Sequence, residues 1–95
     1  MHHDDLHDAT FLGTEVRWAE GVAILKFRVH PNRQVWLRAT DFSMVSIPRM
    51  SEWGPSESVN RVRWLSDVGP VDVEMQSGDT IHVVAAAFAV EYPEE

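Results

Sequence analysis

The chain has 95 residues, 44% of them hydrophobic, no cysteine and a formal net charge of −7. A chain of this size folds as one domain around one core, and without thiols it forms neither a disulfide framework nor a thiolate metal centre. Residues 66–95 hold seven acids and no Lys or Arg, whereas 11–65 hold all eight bases and carry +3, so no basic stripe suited to neutralising nucleic-acid phosphates is expected.

Residues 1–10 read as a flexible acidic leading segment with Asp4, Asp5 and Asp8, ahead of a single β domain over 11–95. That start is acidic where a secretory signal is basic and then apolar, and the longest apolar run, 83–90, is too short to cross a bilayer. A cytoplasmic protein with no membrane contact is the expectation.

The first predicted strand covers 11–18, with Leu12, Thr14, Val16 and Trp18 sharing one face and Gly13, Glu15 and Arg17 the other. Ala19-Glu20-Gly21 turns the chain, Gly21 offering the positive φ that tight hairpins need. The second strand, 22–30, points Ala23, Leu25, Phe27 and Val29 inward and Lys26 and Arg28 outward. A two-residue Glu20-Gly21 loop sets Trp18 against Ala23 and Val16 against Leu25, core against core.

After Pro31-Asn32 the third strand runs over 35–47, with Val35, Leu37 and Ala39 on one face and Trp36, Arg38 and Thr40 on the other. Its apolar positions then pass from even (Phe42, Met44) to odd (Val45, Ile47), which predicts a bulge in 41–46 or a break into two strands. A loop over 48–57 leads to a fourth strand, 58–65, where Val62 and Trp64 alternate with Arg61 and Arg63. In the final hairpin, 70–95, Val71, Val73 and Met75 alternate with Asp72, Glu74 and Gln76. A three-residue Ser77-Gly78-Asp79 loop pairs Met75 with Ile81 and Val73 with Val83. The continuous apolarity of 80–90 predicts a strand buried on both faces. About six strands with short turns and no clear helix define an all-β domain, a small antiparallel β-sandwich or a partly open barrel.

Few features carry chemistry. Met1-His2-His3 presents a free amine, two amides and a third-position imidazole, the donor set that wraps Cu(II) or Ni(II) in a square plane, with His7 near enough to add a ligand. The alternative is a frayed polar terminus. His7-Asp8 invites comparison with metal hydrolases, but the chain lacks the further His and Asp residues that such sites use. Asp8 is instead expected to accept backbone hydrogen bonds ahead of the first strand and so start it. No glycine-rich phosphate loop and no nucleophile elbow is present, so neither an enzyme nor a cofactor is expected.

The binding candidates are aromatic and charged. Trp53, on the 48–57 loop beside Asn60, either anchors an interface or sugar, or folds back over an open end of the domain. Trp36 and Arg38 form a patch typical of interface hot spots unless a second sheet covers that face, and Arg61 and Arg63 join it if the third and fourth strands are neighbours. The acids of the last hairpin, Asp72, Glu74 and Asp79, serve solubility or dock a basic partner.

His7-Asp8-Ala9 before an alternating strand, the Trp53-Gly54-Pro55-Ser56…Val59-Asn60 loop, and Glu74-Met75-Gln76-Ser77-Gly78-Asp79 together resemble a group of small bacterial β-rich domains of unassigned function. Some similar short acidic proteins are encoded as immunity proteins that neutralise toxin domains. The resemblance covers nearly the whole chain, and its motifs fall at turns and strand ends, so it implies fold more than activity. One Lys against seven Arg is compatible with a GC-rich bacterial genome. The leading expectation is a non-enzymatic β domain that binds a protein with a basic surface, in the manner of an immunity protein. The alternative is a small-ligand or carbohydrate-binding module using Trp53, Asn60 and a neighbouring arginine. A monomer, or a homodimer paired through an edge strand such as 11–18, is the expected state.

Overall fold

The computed structural model describes residues 6–52, 54, 56–64 and 70–93. The described residues form six strands: β1 (Thr10–Arg17), β2 (Val22–Val29), β3 (Arg33–Ser46), β4 (Val59–Trp64), β5 (Val71–Met75) and β6 (Thr80–Glu91). They make one antiparallel sheet in the order β1-β2-β3-β6-β5-β4, not closed into a barrel. Two three-stranded meanders are therefore joined along the β3–β6 seam, and the chain crosses from β3 to β4 through 47–58. The two sheet edges meet at one isolated bridge, Thr10 with Ser58. A single sheet buries one face against itself only by curving, and β2 through β6 all supply residues to one buried cluster. Phe27, Leu37, Val59, Val73 and Ile81 are among its members, and Phe11 of β1 packs against it. Each such side chain, fully buried, contributes about 1.5–3 kcal/mol.

The core also claims part of the segment assigned to the acidic leader. Leu6 and Ala9 are each only 2% exposed and belong to the central cluster. The domain thus includes Leu6–Thr10, while 1–5 lie outside the described residues.

Both sequence-predicted hairpin registers are displaced by two residues, a shift that preserves which face is buried. In the first hairpin Val16 pairs with Ala23 and Thr14 with Leu25. The connection is a 3-10 turn, Trp18–Glu20, closed by Gly21 at φ 69°. Trp18 leaves the strand and is 83% exposed instead of entering the core. Leu12 is the extra residue of a bulge between the Phe11–Phe27 and Gly13–Lys26 pairs, so Phe11, not Leu12, packs inward. In the last hairpin Val73 pairs with Ile81 and Val71 with Val83. Met75 N–H donates to Asp79 O at 2.8 Å, making the loop Gln76-Ser77-Gly78, with Gly78 at φ 100°.

The parity slip of β3 is real and has two parts. Asp41 adopts the left-handed conformation at φ 53°, and Ser43 is bulged between the Phe42–Ala85 and Met44–Val84 pairs. β6 changes phase at the same level, from buried Ile81, Val83 and Ala85 to inward-packed Phe88 and Val90. Its alanines therefore do not sit between two buried faces, because Ala86, Ala87 and Ala89 are exposed. No helix among the described residues is long and apolar enough to cross a membrane.

Candidate functional site

One corner of the sheet gathers three segments far apart in sequence: Leu6–Ala9, Ser56–Asn60 and Glu74–Asp79. Val59 N–H donates to Ala9 O at 2.8 Å, Asp8 N–H to Val59 O at 2.9 Å, and Phe11 N–H to Glu57 O at 2.7 Å. Asp8 takes φ 65° to make this approach, a conformation that Asp tolerates better than most residues. Gln76 ties the segments together. Its backbone N–H donates to Ser58 O at 2.9 Å, and its side-chain amide donates to Asp8 Oδ1 at 2.6 Å and to Val59 O at 3.4 Å. The His7 ring Nδ1–H donates to the Asn60 carbonyl. Asp8 thus accepts a hydrogen bond ahead of β1, as its position suggested, but from a side chain rather than from the backbone.

Beside this corner opens a groove of about 450 Å³ between the start of β1, the 47–58 connection and the β5–β6 hairpin. Its floor is apolar, from Phe11, Ile47, Pro48, Met75 and Ile81; Arg49, Glu57 and Asp79 lie on its rim. The connection is pinned to the hairpin beside the groove. Asp79 Oδ1 accepts the Met50 N–H at 3.0 Å, and the Ser51 hydroxyl donates to Ser77 O at 3.1 Å. The Met50 N–H, with help from the Ser77 hydroxyl, the Ser51 N–H and the Arg49 charge, holds the Asp79 carboxyl below its ordinary value.

Asp72, Glu74 and Asp79 of the last hairpin all have internal partners. Asp79 is bound as just described, and Asp72 meets the Nδ1 of His82 across the β5–β6 pair. Glu74 accepts from Asn60 Nδ2 at 2.9 Å and Arg61 Nε at 3.2 Å, which together lower its pKa. Asn60 and Arg61 are accordingly committed to Glu74. Glu57, which the sequence places beside Trp53 in the candidate binding loop, is the rim carboxylate whose side chain has neither a hydrogen bond nor an ion pair among the described residues. Only tertiary distance marks it out: Glu57 and Asp79 are 22 positions apart and meet at one rim.

Trp36 and Arg38 lie elsewhere, on the outer face of β3. β4 is at the far edge of the sheet, so Arg61 and Arg63 do not join them. The Trp36 ring carries Lys26 Nζ at 4.5 Å from its centroid, and its Nε1–H donates to Gln34 Oε1 at 3.0 Å. Lys26 also pairs with Glu15 at 3.0 Å, and Arg38 with Glu91 at 2.5 Å. The Lys26 and Arg17 hydrogen bonds keep Glu15 ionised below its ordinary pKa. This face is a self-satisfied network of charge and aromatic ring.

Trp53, His2 and His3 lie outside the described residues. Among the described residues no three His, Cys, Asp or Glu side chains gather as a metal site, and His7 approaches Asp8 at 3.6 Å. No protein-family model, curated protein or solved structure matches the chain.

Proposed function

We propose that this domain is a non-enzymatic protein-binding module whose corner groove receives a basic side chain of its partner, the mode of action of an immunity protein on a basic toxin surface. The observation that carries the reading is the groove's make-up, an apolar floor with two carboxylates on its rim: Glu57, whose side chain has no partner among the described residues, and Asp79, held ionised beside Arg49. Lysine and arginine side chains bury their aliphatic stems on such a floor while their charged heads reach the carboxylates. The surrounding acids steer a cationic partner to the site, an effect that ionic strength weakens.

A tri-arginine peptide titrated into the isotopically labelled protein tests this by amide chemical shifts. Shifts centred on Phe11, Arg49, Glu57 and Ser77, and abolished by Glu57→Lys, are expected. Shifts confined to the outer face around Glu91, or none, would sink it. A small-ligand module is the second reading, because the groove volume falls within the range of such pockets. Its proposed use of Asn60 is weakened by the commitment of that amide to Glu74.

A further inference from the structure

β1 is a sheet edge, and its outward side is unusually apolar. Thr10 and Phe11 are engaged by Ser58 and Glu57, but from Leu12 onward no strand among the described residues lies along the far side. Leu12 is 46% and Val16 50% exposed, and Trp18 follows at the end of the strand with its ring edge-on to Phe42. Val16, Trp18, Phe42, Met44 and Val45 line an open groove of about 470 Å³ beside this edge. Soluble proteins blunt such edges with inward charges, prolines or covering loops. Here, past the bulge at Leu12, the edge carries only Glu15 and Arg17, and those two neutralise each other at 2.6 Å.

We infer that β1 pairs with β1 of a second copy, antiparallel and centred on Val16. A two-fold axis requires that residue i oppose j and j oppose i. Centring on Val16 sets Val16 against its own copy and each Glu15 against the other chain's Arg17, so two ion pairs form across the axis. Centring on Glu15 or Arg17 places like charges directly opposite, which is destabilising. Centring on Thr14 brings Arg17 against Phe11, whose N–H already donates to Glu57 O. Charge pattern therefore selects this register, in which residues 15–17 of the two strands pair, β1 ending at Arg17 where the Trp18–Glu20 turn begins. This dimer is independent of the corner groove, which lies at the other end of β1.

Sedimentation across a low-micromolar to millimolar series tests the inference on the full chain. The unaltered protein is expected to pass from monomer to dimer. Val16→Lys, which puts a charge on the edge at a side chain that is itself half exposed, should weaken dimerisation about tenfold or more, the scale of a lost cross-strand contact plus like-charge repulsion. Arg17→Glu alone and Glu15→Arg alone should each be monomeric, because every cross-axis pair is then of like sign. Mixed in equal amounts they should form a heterodimer, since Glu then meets Arg at both positions. Circular dichroism of each variant confirms that it is folded. A protein that stays monomeric at millimolar concentration overturns the inference, as does a dimer indifferent to Val16→Lys. So does a mixture that fails to associate.

Discussion

The Asp79 carboxylate, in the turn of the last hairpin, accepts the backbone N–H of Met50 at 3.0 Å, across 29 positions of sequence. Met50 lies in the connection that carries the chain from one meander to the other, whose described residues between Ile47 and Glu57 belong to no strand. A backbone donor in such a stretch needs either water or a side chain, and an ionised acceptor is the stronger choice. The hairpin turn thus doubles as the clamp that holds this groove-lining connection in place. The Ser77 hydroxyl, which donates to Asp79 Oδ2 at 3.0 Å, fixes the carboxylate's orientation.

Acid should loosen this corner before it unfolds the core. Asp79 and Glu74 both sit below their ordinary values of 3.8 and 4.5, so the folded state binds their protons less readily than the unfolded one. Their stabilising contribution is full above those ordinary values and is lost as pH falls through the lower folded-state values. Protection of the Met50 and Ser51 amides, measured against their intrinsic exchange rates, should fall over that window, and Asp79→Asn should remove that fall. Equal protection of Met50 at pH 7 and in strong acid would contradict the clamp.

Leu6→Ala should cost about 2–5 kcal/mol in a denaturant titration, the range for a buried leucine emptied of its side chain. Leu6 is 2% exposed and packs in the central cluster, so it behaves as core although it precedes the first strand. A loss below the value for an exposed leucine would return this segment to the status of a leader.

Gly21→Ala should destabilise by about 1–2 kcal/mol, the penalty for a Cβ in the left-handed region. Gly21 has φ 69°, and a Cβ there would lie 3.4 Å from Asp41 Oδ1. Gly21 O also accepts the Phe42 N–H at 3.0 Å, so strain at the turn is passed to the bend of β3. Thermal unfolding of the single variant provides the measurement.

Trp36→Ala should lose about 0.5–1 kcal/mol from the contact with Lys26, beyond the lost burial, as for an exposed cation–π pair. A Trp36→Ala, Lys26→Met double-mutant cycle isolates that term. The same variant should leave the tri-arginine titration unchanged, because the outer face of β3 does not line the corner groove. A loss of peptide binding in Trp36→Ala would relocate the site.

Sequence alone determined the all-β class, the in-and-out identity of Ala23, Leu25, Phe27, Val35, Leu37, Val71 and Val73, and the irregularity in β3, because period-two alternation is a local consequence of the pleat. It could not fix hairpin register, since a shift of two residues keeps every side chain on its face, and only turn geometry distinguishes the alternatives. Hence Trp18 was expected in the core and stands exposed in a 3-10 turn. Burial on both faces was expected for 80–90 because alanine is compatible with either environment, and tertiary packing left three alanines outside. Tertiary structure decided which chemistry-bearing residues meet. Placing β6 beside β3 sent β4 to the far edge, away from Trp36 and Arg38, and brought Asp8, Asn60, Gln76 and Asp79 to one corner. Strand order depends on long-range pairing between segments whose sequences carry no label for each other, so that corner became legible only once the chain was folded.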